Sequence, residues 1–156
     1  MNSKYTIRKG TEDDFSEVLT MIKELAVFEK ALDKVTNSVE QMQAEKEFFE
    51  FFVVEYKGKI VAMALFYFAY YTWVGKSLYL DDLYVKEPHR GYGIGQELLK
   101  RIFNVAKENN CSRVRWQVLD WNEPAIQLYN KLGANLDSEW INCDFDKQGI
   151  YNISTV

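Results

Sequence analysis

The segment Glu87-Pro-His-Arg-Gly-Tyr-Gly-Ile-Gly95 constrains this chain more than any other. It follows a run from Ser77 to Val85 that alternates as a strand does, and it precedes Leu98, Leu99, Ile102, Phe103, Val105 and Ala106 at helical spacing. A strand must therefore pass into a helix through a turn in which Gly91, Gly93 and Gly95 leave the backbone bare. At such a junction successive N–H groups and the positive end of the helix dipole converge, an arrangement that binds anions, and Arg90 adds a permanent charge. Glycines at this spacing also serve a merely tight turn, so spacing alone leaves both readings open. The pattern is not the GxGxxG dinucleotide fingerprint. Nor is Gly75-Lys-Ser a phosphate loop, because Tyr70 stands where its first glycine belongs.

Around this junction the periodicities predict the order β-α-α-β-β-β-α-β-α-β(β), a mixed sheet with helices on its faces. Lys4 to Arg8 reads as a strand, and Thr11-Glu-Asp-Asp14 gives a capping-box-like start to a helix running to about Glu29. A second short helix begins near Asn37 or Ser38. Phe48 to Tyr56 and Lys59 to Tyr70 form a hairpin about Lys57-Gly58. In the strand before the glycine turn, alternation puts Leu78, Leu80, Asp82 and Tyr84 on one face and Tyr79, Asp81, Leu83 and Val85 on the other, one carboxylate to each. Arg113 to Leu119 is a fifth strand. Asn122 can cap a helix through Leu132 that Gly133 stops, and the chain from Asn135 onward reads as terminal strands.

The 156 residues suit a single domain spanning 1–156. Ten Phe, ten Tyr and four Trp exclude a disordered chain. Nineteen Lys and Arg against twenty-three Asp and Glu leave a net charge of −4, so there is no basic footprint for nucleic acid, and a cationic partner suits the chain better. A single histidine, His89, offers no His-rich metal site, and no metal is expected. Cys111 and Cys143 have neither CxxC nor zinc spacing, so reduced thiols in a cytoplasmic protein are expected. The polar start MNSKYTIRKG and a longest apolar run, Ile60 to Tyr71, well short of the ~20 residues that span a bilayer predict a soluble chain with no membrane partner.

The pattern Arg90-x-x-Gly93-x-Gly95, behind a strand and opening an amphipathic helix, resembles the acetyl-CoA signature of the GNAT superfamily of N-acetyltransferases. Ile22-Lys-Glu-Leu-Ala-Val-Phe-Glu-Lys30, Leu78-Tyr-Leu-Asp-Asp-Leu-Tyr-Val85, Val118-Leu-Asp-Trp-Asn-Glu-Pro-Ala125 and Leu128-Tyr-Asn-Lys-Leu-Gly-Ala134 resemble its spermidine/spermine branch, including the thialysine acetyltransferases. The resemblance implies an α/β fold of α+β type: a twisted, mostly antiparallel mixed sheet whose fourth and fifth strands splay apart, with helices on both faces.

By the same resemblance, backbone groups of Leu83, Tyr84 and Val85 pair with the pantetheine of acetyl-CoA like a partial extra strand, while Arg90, Gly91, Tyr92, Gly93, Ile94, Gly95 and Gln96 cradle its pyrophosphate. Asn122, Glu123, Pro124 and Ala125 match a second CoA-contact segment, and Lys131 sits where a basic residue approaches the cofactor. Acetyl transfer to an amine needs a neutral nitrogen, a place for its proton, stabilisation of an oxyanion and a proton donor for the departing thiolate. Tyr129 falls on the family's tyrosine that protonates the CoA sulfur, and it is the catalytic candidate; by spacing alone it reads as a packing ring. Asp81 and Asp82 suit a polycation, and Asp81 can take a substrate proton through water. Phe28, Glu29, Trp73, Arg115, Trp116, Gln117 and Glu139 align with substrate-contacting positions. An aromatic wall ending in carboxylates suits a flexible diamine or an aminoethyl-thioether amino acid.

The chain departs from the branch in places. Asp81 stands where Glu is usual and Phe28 where Tyr is common, and the hairpin insertion is reduced to Lys57-Gly58. Beyond Gly133-Ala134 the match weakens, and Ser138-Glu-Trp140 lacks the glycine usual before its tryptophan. Phe28-Glu-Lys30 and Leu119-Asp-Trp-Asn122 look thialysine-like, whereas Glu123-Pro124 looks polyamine-like. The resemblance implies a homodimeric enzyme that passes acetyl to a small cationic amine by direct attack in a ternary complex. Two alternatives stay open. Acetylation of a protein or peptide amine needs an open groove, which the loop Tyr70 to Trp73 obstructs, and a non-catalytic CoA-binding sensor would lack the phenol or the intact turn.

Overall fold

The structure is a computed structural model and describes residues 4–154. Five strands, β1 (Tyr5–Lys9), β2 (Glu50–Tyr56), β3 (Lys59–Tyr71), β4 (Gly75–Val85) and β5 (Arg113–Arg115), form one sheet in the order β1-β2-β3-β4-β5. The pairs are antiparallel except the last, which is parallel. Lys57 (φ 51) and Gly58 (φ 73) both take left-handed backbone, as a tight hairpin turn between β2 and β3 demands.

The two last strands share only the pairs Ser77↔Arg113, Leu78↔Val114 and Tyr79↔Arg115. Beyond Tyr79 no strand of the described residues pairs with that edge of β4, so β4 and β5 part there as expected for the fold. The fifth strand is accordingly shorter than the predicted span 113–119. A bulge at Asp81 interrupts β4 two residues beyond Tyr79, where the pairing with β5 ends.

Helices α1 (Phe15–Phe28) and α2 (Val39–Ala44) cover one face of the sheet. Phe15, Val18, Leu19 and Met21 of α1 and Met42 of α2 bury against Phe51, Val53, Met63 and Leu65. The start of α1 is fixed by the expected capping box: the Asp14 carboxylate accepts from the Thr11 N–H at 2.8 Å, and a bidentate pair with Arg8 at 2.7 Å ties it to β1. Arg8 and Thr11 together hold the Asp14 carboxyl below the usual carboxylate range. Ser38 caps α2 by accepting from the Gln41 N–H. Helix α3 (Ile94–Glu108) packs on β3 and β4, burying Ile94, Leu98, Leu99, Ile102 and Ala106.

The chain divides into two compact units, residues 1–117 and 118–156. The second holds α4 (Glu123–Lys131) and α5 (Lys147–Ser154). Helix α4 ends as predicted at Gly133 (φ 82), with Ala134 N–H donating to the Tyr129 carbonyl at 3.0 Å. The terminal strands expected from Asn135 onward are absent among the described residues: 135–146 carry no strand, and α5 follows. Helix α5 starts behind Asp146, whose carboxylate accepts from Gly149 N–H at 2.7 Å and whose carbonyl accepts from Ile150 N–H at 2.9 Å, a local helix-start arrangement in place of the expected strand. Among the described residues no helix is long and apolar enough to cross a membrane.

Candidate functional site

In the β3–β4 ladder Leu65 pairs with Asp82 and Phe66 with Leu80, which leaves Asp81 as the extra residue of a β-bulge. Residues directly opposite one another share a face. Asp82 opposite Leu65 and Tyr84 opposite Met63 therefore lie on the α1 side, while Leu80, one residue before the bulge, lies on the α3 side with Phe66. This corrects the alternation read from sequence, which placed Leu80 and Asp82 together and Asp81 opposite them. Asp81 and Asp82 in fact line one cavity of about 270 Å³, with Phe48, Phe49, Tyr67 and Asn37 among its walls.

The electrostatics follow from that convergence. Burial, with the nearby charges of Asp81 and Glu29, pushes the Asp82 carboxyl up to about 7. Desolvation also raises Asp81 and Glu29, the residue that ends α1. Among the described residues no Lys or Arg lines this cavity. Beside it Tyr67 and Tyr79, paired across β3 and β4, stack with ring centroids 5.1 Å apart. Burial and the Asp81 charge raise the Tyr67 phenol, and burial first, then Tyr67 and Asp81, push Tyr79 to about 12.

Toward its end β4 offers an open backbone edge at Leu83, Tyr84 and Val85, then enters the glycine turn. Gly91 (φ 82) and Gly93 (φ 78) take left-handed backbone, and nothing lies within 4 Å of where a Cβ would stand on either. Gly93 is the N-cap of the 15-residue α3 and, having no side chain, supplies no capping oxygen to the first N–H groups at Ile94, Gly95 and Gln96. Arg90 is anchored at the strand's end: its Nε donates to the Val85 carbonyl at 2.9 Å and its guanidinium lies 5.7 Å from the Tyr84 ring. His89 and Tyr92 tie the turn to β1, the Tyr5 hydroxyl lying 3.2 Å from His89 Nδ1 and the Tyr92 ring 6.0 Å from Tyr5. Bare backbone at a helix N-terminus fits a pyrophosphate, and the open strand edge beside it fits an amide-bearing arm.

The remaining candidates scatter. Phe28, the last residue of α1, is exposed beside Glu29. Trp73 stands in the β3–β4 turn, and the strand from Gly75 to Asp81 separates it from the bulge by roughly 20 Å at ~3.4 Å per residue. Arg115 and Arg113 reach the Tyr71 ring, at 5.8 and 4.1 Å. Trp116 meets Phe103 of α3 edge-on at 6.4 Å, and Gln117 follows it exposed. In the second unit Asn122 is the N-cap of α4 without a side-chain cap bond, contrary to the capping role expected of it. Glu123, Pro124 and Ala125 form the first turn, and Lys131 ends the helix. Burial raises the Tyr129 phenol above its usual value, and Glu139 is exposed, its N–H held by Asp137 at 3.0 Å.

The Acetyltransferase (GNAT) family matches residues 14–134, more than half the chain. The chain belongs to the GNAT family of acetyltransferases. Among its relatives this acetyltransferase is 42% identical over 140 residues to the thialysine N-epsilon-acetyltransferase of Sus scrofa, with 82% of each chain covered. It is 32% identical over 164 residues to the human spermidine/spermine N(1)-acetyltransferase-like protein 1, covering 96% of this chain and 24% of that one. The crystal structure of a predicted acetyltransferase from Clostridium acetobutylicum with acetyl-CoA superposes with a TM-score of 0.72 at 20% identity, covering 90% of this chain and 96% of that one.

The acetyltransferase thus gathers Glu29, Asp81 and Asp82 on one side of β4 and sets the glycine turn at its end. Sequence reasoning missed the walls of the carboxylate cavity. Tyr67 was legible only as one of several strand aromatics, and Phe48 and Phe49 only as the start of a strand that in the structure begins at Glu50. The usable signal was the order of β3, whose Leu65 and Tyr67 share the inner face with the positions opposite them.

Proposed function

We propose that this N-acetyltransferase takes its acetyl group from acetyl-CoA and passes it, by direct attack in a ternary complex, to a primary amine of a small cationic acceptor, a diamine, a polyamine or a thialysine-like amino acid. The observation that carries this reading is the cavity on β4, lined by the carboxylates of Asp81 and Asp82 and by Tyr67, with the Glu29 charge acting on Asp82 and no lining Lys or Arg among the described residues. An ammonium group is the natural complement of such a space. The names of the thialysine and spermidine/spermine relatives support the same class.

When bound, acetyl-CoA supplies a thioester. The open edge of β4 at Leu83 to Val85 receives its amide arm, and the bare backbone from Gly91 to Gln96 receives its diphosphate. Asp81, Asp82 and Glu29 draw in the acceptor, and Asp82, titrating at about 7, gives the ammonium proton a destination near neutral pH. A C–N bond then forms as the C–S bond breaks, and the departing sulfur needs a proton. Tyr129, kept protonated by burial, is the donor in this scheme, and the second proton, lost from the nitrogen as the amide forms, restores its phenol. Because the family match runs from residue 14 to residue 134, a single catalytic domain belongs to the same proposal, together with the cytoplasmic location expected from the cysteines and the homodimer implied by the resemblance.

The test is Tyr129→Phe kinetics with acetyl-CoA and a diamine. We expect kcat to fall roughly 100-fold, the usual contribution of a positioned acid, with the amine KM nearly unchanged. Unchanged kcat across pH in a folded variant would contradict the role of Tyr129.

A further inference from the structure

Phe49 lines two cavities at once. One is the acceptor cavity with Asp81 and Asp82. The other, about 320 Å³, opens beside β1 and β2 and has Phe15 and Phe51 in its wall. The Phe49 ring lies 5.7 Å from Phe15 and 6.1 Å from Phe51, so it stands in the aromatic group that forms this second space while also facing the first. Among the described residues no other lines both.

We propose that Phe49 sets the length of the amine acceptor by closing the far end of the carboxylate cavity. The proposal rests on the reading of that cavity as the acceptor site. A short diamine fits against the ring with one ammonium at Asp82. A longer polyamine has to carry its further ammonium groups past the Phe49 ring, which offers them no carboxylate. Burying an ammonium without a partner is costly, so length is discriminated without any charged gate. The space beyond is not hostile to a cation. Its lining carries Glu50 and Glu12 together with Lys9 and Lys46, with which they pair at 2.6 Å, and these partly exposed lysines can yield to an incoming ammonium at little cost. Shortening the ring at position 49 joins the two cavities and gives a long polyamine a continuous channel with acidic groups at both ends.

The test compares kcat/KM for 1,4-diaminobutane and for a linear tetraamine, with acetyl-CoA, in the wild type and in Phe49→Ala. The tetraamine-to-diamine ratio is expected to rise roughly tenfold or more in Phe49→Ala, the scale on which an apolar wall discriminates. Phe49→Leu, a milder change that keeps the core filled, is expected to move the ratio the same way by less, and decides the matter if the alanine variant does not fold. Phe68, exposed on β3, lines neither cavity, so Phe68→Ala should leave the ratio where it is. A ratio unmoved by both Phe49 variants, or moved equally by Phe68→Ala, overturns the proposal while the wild type still acetylates the diamine. A wild type that acetylates neither amine instead removes the acceptor reading, and this proposal with it.

Discussion

At the scale of single residues, Asp82 is the group whose chemistry departs furthest from its ordinary value. An aspartate raised to about 7 in the folded chain, against ~3.9 when unfolded, binds its proton more tightly in the native state. Its ionisation therefore costs stability. The cost is absent below about pH 4, grows as pH rises through the unfolded and then the folded value, and is complete above about pH 7. Asp82→Asn should accordingly raise Tm at about pH 8 and bring little gain at about pH 4, while weakening cationic acceptors. Thermal unfolding of both proteins at the two pH values checks this, and an equal gain at both would show that Asp82 is not held up by burial and by Asp81 and Glu29. The carboxylates themselves were legible in the sequence, but their convergence was not. A bulge adds one residue to a strand without any compositional mark, and it reverses the alternation for every residue after it. Leu80 and Asp82, two apart, are consequently on opposite faces.

At the scale of elements, the glycine turn was readable because each of its requirements is local. A strand must end, a helix must begin, and two intervening residues must hold positive φ; Gly91 and Gly93 do so. The hairpin at Lys57-Gly58 was readable for the same reason. The end of the chain was not. The signal that mattered there was a single cap at Asp146, and the aromatic and branched residues around it imitate a strand. The turn also yields a controlled test. Gly93 and Gly58 have similar backbone, φ 78 and 73, with open space at both. An alanine at either costs about 1 kcal/mol of backbone strain. Only at Gly93 does the added methyl enter the space assigned to the diphosphate. Gly93→Ala should raise KM for acetyl-CoA roughly tenfold, while Gly58→Ala lowers stability alike and leaves that KM unchanged. Initial rates at varied acetyl-CoA, beside thermal melts, separate the two effects, and equal KM values in both variants would remove the turn from donor binding.

For the whole molecule, the net charge of −4 is less informative than its division. Acidic groups collect at Asp81, Asp82 and Glu29 on the α1 side of β4, whereas Arg90 is fixed at the strand's end beside the bare turn. One strand thus carries an acidic cluster and, a few residues on, a bare turn beside Arg90, which is the division that the proposed cationic acceptor and anionic donor require. The strand order and the parting of β4 from β5 could be anticipated as a family property, since alternation and turn signals set the elements in sequence. The identity of the cavity walls could not, because α2 and the segment through Phe49 reach the site only through tertiary packing. The most direct measurement is the release of free thiol from acetyl-CoA with a set of acceptors at one pH: a short diamine, thialysine, a neutral-ended monoamine of equal length and a lysine-bearing peptide. Release should be fastest with the small acceptors carrying a second ammonium and should lose that preference in Asp82→Asn. Equal rates for the monoamine and the diamine, or fastest release with the peptide, would contradict a carboxylate cavity that selects a small cationic amine.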